Sequence, residues 1–488
     1  MDNFKTLAKK ALTNTAILYI ISRYATYIIQ FINSLFIALY LGPYYLGVWG
    51  FIILILGYCG KFDLGIAHSA NAILSINKNN DDYVEKVIGN SLSMIMGLSI
   101  VILLVLYSFK YINCFNIGEK YNFDEYIIIV SIIAVLTYFN ALFSNIFRIY
   151  GKILLIALNQ SLYPIIVLLI MPFFRSEILI WAMLIAYSFS TTISFILFLY
   201  QRPVPFKLRF SFDLVKHIQI KGWHLFVYNT SLHLIILSTN SFISSYYAID
   251  EFGYYTFSYS FANAIFLLLS SISYLIFPKM LNRFASSNNT QINNILGNIR
   301  VAYISLSHLI VHFLIIIFPF FLFFFPEYQQ ASPIFKITAL TLVLYTNSYG
   351  YSGLLIARGK ERSLGLLTFL TLLFNIGLTY LFIVTFKFSI SLAILGSMIT
   401  YFFYTLYTSM YGRKNMGLNS GLISTFIDVY PWRMMLPFLI SLILIITNSR
   451  DVFFIIPFTL YFFLNFNDIK IIRNLVLKVI KDPNLMNI

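Results

Sequence analysis

Charge is the first thing this sequence lacks: only 10% of its 488 residues are Asp, Glu, Lys or Arg, against about a quarter in an ordinary soluble chain. A water-soluble fold is excluded. A chain that is 59% hydrophobic, with a mean hydropathy of +0.82, cannot hide its apolar surface in one aqueous core and needs lipid as its solvent. Cysteine is almost absent as well. Cys59 and Cys114 offer neither a disulfide framework nor paired metal-ligand spacing, and Cys59 reads as a small apolar residue. There is no Walker-type Gly-rich loop to cradle phosphates. The longest segment expected outside, about residues 110–125, leaves no room for a catalytic domain. An enzyme is therefore not expected, and no cofactor is called for.

Apolar runs near the roughly 20 residues that span a bilayer recur from end to end instead. Six fall near residues 14–40, 44–76, 87–109, 126–147, 153–173 and 178–200; six more near 222–247, 255–277, 301–325, 333–356, 364–386 and 390–411; and two shorter runs near 433–449 and 452–467. The fold class is thus an all-α polytopic membrane protein of 12–14 transmembrane helices. The basic start, Met1 to Lys10, precedes an apolar segment too long for a signal peptide, so it reads as a retained first helix.

Orientation follows from where Lys and Arg fall. With the N-terminus inside, 24 of the 33 basic residues lie in inside loops or tails, and only Lys110, Lys120, Arg175, Lys387 and Arg450 lie outside. Both termini are expected to be cytoplasmic. The formal charge of +15 is then a topology signal and an affinity for anionic lipid head groups, with no need for a nucleic-acid partner.

An internal repeat organises these runs. A shift of 206 residues lays Phe36, Ile37, Tyr40 and Gly47 on Phe242, Ile243, Tyr246 and Gly253, and Gly151-Lys152 answers to Gly359-Lys360 in the second half. Because each half has an even number of helices, the two run in the same direction, with a symmetry axis along the membrane normal. The expected domains are residues 1–210 and 211–411, each a six-helix bundle, and 412–488, two additional helices and a basic cytoplasmic tail.

The run Leu41-Gly42-Pro43-Tyr44-Tyr45-Leu46-Gly47-Val48-Trp49-Gly50, followed by Asp63-Leu64-Gly65-Ile66, resembles the opening helix pair of polysaccharide-export flippases in the multidrug/oligosaccharidyl-lipid/polysaccharide exporter superfamily. Arg148-Ile149-Tyr150-Gly151-Lys152 and Ala357-Arg358-Gly359-Lys360 resemble that pattern too, and the Wzx-type O-antigen flippases are the most similar group. The second repeat departs from it, reading Ile249-Asp250-Glu251-Phe252-Gly253. The resemblance implies two bundles around a central cavity that opens alternately to each side of the bacterial inner membrane. It implies an undecaprenyl-pyrophosphate-linked oligosaccharide as cargo, with a polysaccharide polymerase and chain-length machinery as partners beside membrane lipids.

Such cargo needs cationic groups for the pyrophosphate and hydroxyl or amide groups for the sugars, placed inside the membrane. Arg23, Tyr27, Gln30 and Ser34 recur at spacings of four, three and four and share one helical face. Arg23 lies about ten residues into its helix, roughly 15 Å at 1.5 Å per residue, which makes snorkelling to the interface strained and favours a phosphate contact. The matching face of the seventh run carries Asn229, His233, Asn240 and Ser244; His233 reads either as a packing histidine or as a site residue. Lys61 and Asp63, placed inside the second helix, do not face each other at a separation of two. Each is read either as a cargo or coupling-ion contact or as part of a helix interface. Lys336 is expected to snorkel. His308 and His312 stand four apart, the spacing of two metal ligands, but no third ligand follows, so no metal is expected.

Two rivals stand beside the polysaccharide flippase. A cation-coupled multidrug exporter of the same superfamily would want intramembrane carboxylates, and Asp63 is the only one placed clearly within a helix. A lipid II flippase shares the anionic lipid-pyrophosphate chemistry.

Overall fold

The computed structural model describes residues 15–77, 80–108, 117–286 and 288–481. Cys114 and the expected topology markers Lys5, Lys9, Lys10, Lys78 and Lys110 lie outside them. Among the described residues there is no strand, as lipid requires of an open chain: helices satisfy every backbone group within one segment.

The main helices are α1 (Thr15–Lys61), α2 (Ile66–Asn77), α3 (Asp81–Ser108), α4 (Phe123–Ile149), α5 (Ile153–Ile170), α6 (Ser176–Tyr200), α7 (Phe212–Tyr246), α8 (Ile249–Ser286) and α9 (Asn289–Phe324). They continue with α10 (Ala331–Thr346), α11 (Tyr351–Ala357), α12 (Glu361–Tyr380), α13 (Leu395–Asn415), α14 (Leu422–Val429), α15 (Trp432–Ile446), α16 (Ile455–Leu464) and α17 (Phe466–Lys481). All fourteen apolar runs of the sequence fall on helices. Among the described residues eight helices are long and apolar enough to cross a bilayer, and ten if each of the bent pairs α14–α15 and Asp451–Leu464 with Phe466–Arg473 is one span. The all-α membrane fold read from composition is the observed one.

The chain divides into two compact units, Met1–His233 with Ala248–Gly253, and Leu234–Tyr247 with Tyr254–Ile488. In the first, α2, α3, α4 and α6 bury a shared core that includes Ile73, Val84, Phe147 and Phe198. The second holds an aromatic core in which Phe318 and Phe335 stack at 3.8 Å and Phe261 meets both. Outward faces are apolar, the reverse of a soluble protein: Ile100 and Leu104 on α3, and Phe320, Phe323 and Phe324 on α9, are exposed.

The repeat marks turn out to be structural joints. α1 is broken at Gly42, whose φ is 68°, just before Pro43, which cannot continue a helix ladder. Beyond that break Gly47 and Gly253 sit in reciprocal close approach. A Cβ on Gly47 would stand 2.2 Å from the Ile249 carbonyl oxygen, and one on Gly253 would stand 1.9 Å from the Pro43 carbonyl oxygen. Pro43 and Ile249 are themselves partners under the 206-residue shift, so the contact obeys the repeat. The second mark is a shared helix cap: Gly151 and Lys152 donate to Arg148 and Phe147 at 3.1 and 3.0 Å, and Gly359 and Lys360 donate to Ile356 and Leu355 at 3.0 and 2.9 Å. Both are Schellman closures with glycine at positive φ, 71° and 66°.

Three placements differ from expectation. Asp63 is not inside a helix, because the chain breaks over Phe62–Gly65 between α1 and α2. Arg300, expected in a loop, lies inside α9, which begins twelve residues earlier than the apolar run because Asn288 caps it by accepting from Gln291 N–H at 2.9 Å. Lys336 does not snorkel. Its side chain is 6% exposed and is paired with Asp451.

Candidate functional site

The polar face on α1 opens against α5. Arg23 is half-buried; its Nη1 donates to the side-chain carbonyl of Gln160 at 2.6 Å, its Nη2 donates to the Tyr27 hydroxyl, and its guanidinium stands 4.6 Å over the Tyr27 ring. Asn33, nearly two turns beyond Tyr27, donates from its buried amide to the Pro164 carbonyl at 2.8 Å and pins the same pair of helices. Gln30 is half-buried on this face, while the Ser34 hydroxyl turns back onto the Phe31 carbonyl at 2.7 Å. Gln160 is absent from the sequence-derived set, although Asn159-Gln160 is a polar pair in an otherwise apolar run and could have signalled it.

The other first-unit candidates gather at the break between α1 and α2. Lys61 is the last residue of α1, and its free carbonyl accepts from the Thr230 hydroxyl at 3.3 Å. Asp63 does the work of a cap there: its carboxylate accepts from Gly65 N–H at 3.1 Å and its carbonyl from Ile66 N–H at 3.0 Å, satisfying donors that a helix start leaves open. The first part of α7 docks on this break, with Gln219 donating to the Leu64 carbonyl at 3.1 Å.

That docking brings Asn229 and His233 to Lys61. His233 is exposed, with Nδ1 2.8 Å from the Asn229 carbonyl, and it lies within the electrostatic reach of the Lys61 ammonium. His68, on α2, feels Asp63, Arg148 and Lys61 together. Lys61, Asp63, Asn229 and His233 thus form one cluster, joined by His68 and Arg148, which sequence reasoning did not select. Asn240 stands apart from it: it belongs to the second unit, where its side-chain oxygen accepts from the Tyr255 hydroxyl at 2.5 Å.

The electrostatic character of the first-unit site is an excess of cation. Among the described residues no carboxylate lies within 4.0 Å of Arg23 or Lys61, and the ion pairs Arg209–Glu85 at 2.9 Å and Lys86–Asp82 at 4.0 Å are peripheral to the site. Four cations of the second unit, in contrast, are paired with carboxylates. Asp428 takes Arg300 at 2.8 Å and Arg413 at 3.2 Å, Lys336 is paired with Asp451, and Arg433 stands 3.8 Å from Asp468.

His308 and His312 are buried inside that second network. His308 Nε2 is 3.0 Å from the Asn347 side-chain oxygen, His312 Nδ1 is 2.8 Å from the His308 carbonyl, and both rings lie against Tyr461. No group of three metal-ligating side chains occurs among the described residues.

Comparison with known proteins bears on the fold and the family. The backbone is similar to a lipid II flippase, MurJ, in an inward closed conformation, with 17% identity over 94% of this chain and 100% of that one and a TM-score of 0.68. It is also similar to a multidrug resistance transporter of the MATE family in an inward-facing conformation, with 15% identity, 82% and 98% coverage and a TM-score of 0.64. A transporter of the same MOP superfamily from Pyrococcus furiosus, described as having reversed polarity in its binding pocket, has 16% identity, 84% and 96% coverage and a TM-score of 0.51. No curated protein matches the sequence. The sequence model described as "Polysaccharide biosynthesis protein" matches residues 12–284, more than half of the chain, and the protein belongs to that family.

Proposed function

We propose that this protein is a flippase that carries undecaprenyl-pyrophosphate-linked oligosaccharide repeat units from the cytoplasmic to the outer face of the bacterial inner membrane by alternating access. The observation that carries the reading is Arg23: a guanidinium in the first apolar span whose partners among the described residues, Gln160 and Tyr27, are neutral. A buried cation is costly unless something answers its charge, and a phosphate that arrives with the cargo is such a partner. A guanidinium suits it through paired N–H donors. Lys61, flanked by Asn229 and His233, is the second cation of the same unit. The lipid tail stays in the bilayer, so only the pyrophosphate and sugars need a polar path.

In this reading residues 1–210 and 211–411 are the two bundles whose rearrangement exposes the cargo to either face, and 412–488 is accessory. The scarcity of intramembrane carboxylates speaks against a cationic substrate, all the more because Asp63 spends its carboxylate on a helix start.

The test is deletion in the native host with lipid-linked oligosaccharide assayed on each membrane face. Complete repeat units accumulating on the cytoplasmic face, with normal peptidoglycan, is the expected result. Failing peptidoglycan would point to a lipid II flippase, and unchanged surface polysaccharide with altered drug sensitivity would point to an exporter; either overturns the proposal.

A further inference from the structure

We infer that the second unit carries a tyrosine wall that recognises the sugar rings of the cargo, an inference that rests on the function proposed above. α10 is the most enclosed helix of that unit: from Ile334 to Thr346 every side chain is buried except Leu342 and Tyr345. Tyr345 is 42% exposed. A helix turned to lipid shows a continuous apolar face, whereas this one shows a single phenol, set among others. The Tyr345 ring lies 5.6 Å from Tyr401 and 6.0 Å from Tyr404, both on α13. Tyr255 and Tyr259 stack at 6.1 Å on α8, and they and Tyr345 all act electrostatically on the Tyr401 hydroxyl. Phenols from three helices therefore converge, and Asn240 of α7 adds an amide oxygen through its bond with Tyr255.

The chemistry of this wall is that of a neutral polyol. Aromatic faces take the C–H faces of pyranose rings, and phenols both donate and accept, as sugar hydroxyls do. None of the wall's residues is charged, so it offers a pyrophosphate nothing, in contrast to the Arg23 face of the first unit. An interfacial aromatic belt would point its hydroxyls at head groups; here Tyr255, Tyr401 and Tyr404 are buried and the Tyr255 hydroxyl donates to Asn240. Aromatic rings also attract quaternary ammonium ions, and that occupant is one outcome of the test.

The experiment measures binding of two probes to the purified full-length protein in nanodiscs: bare undecaprenyl pyrophosphate, and the same carrier loaded with the host's oligosaccharide. The wild type should bind the loaded carrier about tenfold more tightly, a difference of about 1.4 kcal/mol. Tyr345→Ala and Tyr259→Ala should lose that advantage and keep the affinity for the bare carrier, and Tyr345→Phe should retain most of it. Alanine variants that keep the full advantage would overturn the inference. So would variants that lose the bare carrier equally, which marks packing, or a wild type that binds tetraphenylphosphonium in preference to the loaded carrier. A wild type that binds neither form of the carrier defeats the flippase reading itself.

Discussion

The two units treat their interior cations in opposite ways. In the second, Arg300, Arg413 and Lys336 are each met by a carboxylate of the same unit, and Asp428 also accepts from the Tyr351 hydroxyl at 2.8 Å. In the first, Arg23 rests on an amide and a phenol, and Lys61 ends a helix with Asp63 nearby but, among the described residues, no carboxylate within 4.0 Å. A cation compensated from within stabilises a scaffold; one left uncompensated keeps its charge for a ligand. The repeat gave both halves the same joints, and divergence between the halves gave them different electrostatics.

This contrast can be broken by exchanging which property each mutation damages. The largest effect is expected at Arg23: Arg23→Ala should abolish transport while the protein remains folded and inserted, and Arg23→Lys should restore part of it if charge alone suffices but little if the forked geometry is needed. Export of lipid-linked oligosaccharide in a deletion strain, with membrane levels of the variant as control, reads this out. Next comes Asp428→Ala, which strands a guanidinium whose side chain is 7% exposed. Removing one partner of a buried pair costs about 3–5 kcal/mol, and the lower end applies because Asp428 itself is 34% exposed. A lower thermal midpoint is the expected readout.

Acidification should act on the same residue. Asp428 sits on α14, between the apolar runs at 390–411 and 433–449 and outside both. Burial alone would raise its carboxyl pKa, but the Arg300 guanidinium, the Tyr351 hydroxyl and Arg413 together hold it below the ordinary carboxylate range. The folded state thus prefers the ionised form. Its contribution is present above the unfolded carboxyl pKa of about 3.9 and is lost as pH falls through the lower folded value. Thermal midpoints of the wild type should fall on acidification toward that range by more than those of Asp428→Asn.

The joints that the halves share should respond differently from each other. Gly253→Ala sets a methyl group 1.9 Å from the Pro43 backbone oxygen, so backbone must move, at a cost of about 1–3 kcal/mol. Gly359→Ala meets nothing within 4 Å and pays only for its positive φ, about 1 kcal/mol. Melting curves of the two variants should rank in that order, and equal losses would argue against the reciprocal glycine contact.

Much of the fold could be read from the sequence because bilayer physics writes it in composition: apolar runs of spanning length, Gly42-Pro43 as a break, and Gly151-Lys152 and Gly359-Lys360 as caps. The break at Phe62–Gly65 was harder, since Asp63 looks intramembrane by position, yet Asp63-Leu64-Gly65 is also an acidic cap ahead of a glycine. Pairings such as Lys336 with Asp451, 115 residues apart, leave no local trace, and so Lys336 looked like a snorkelling side chain. The Arg23 face was legible from spacing alone. Its partner was less so: Asn159-Gln160 marks a polar spot in its run, but the local sequence does not say which helix Gln160 faces.

The most direct test of the central claim is the affinity for undecaprenyl pyrophosphate of wild type, Arg23→Ala and Asp428→Asn in the same nanodiscs. The account predicts at least a tenfold loss for Arg23→Ala, which corresponds to about 1.4 kcal/mol, with its thermal midpoint unchanged, and for Asp428→Asn an unchanged affinity with a lower midpoint. Wild-type affinity in Arg23→Ala would contradict it.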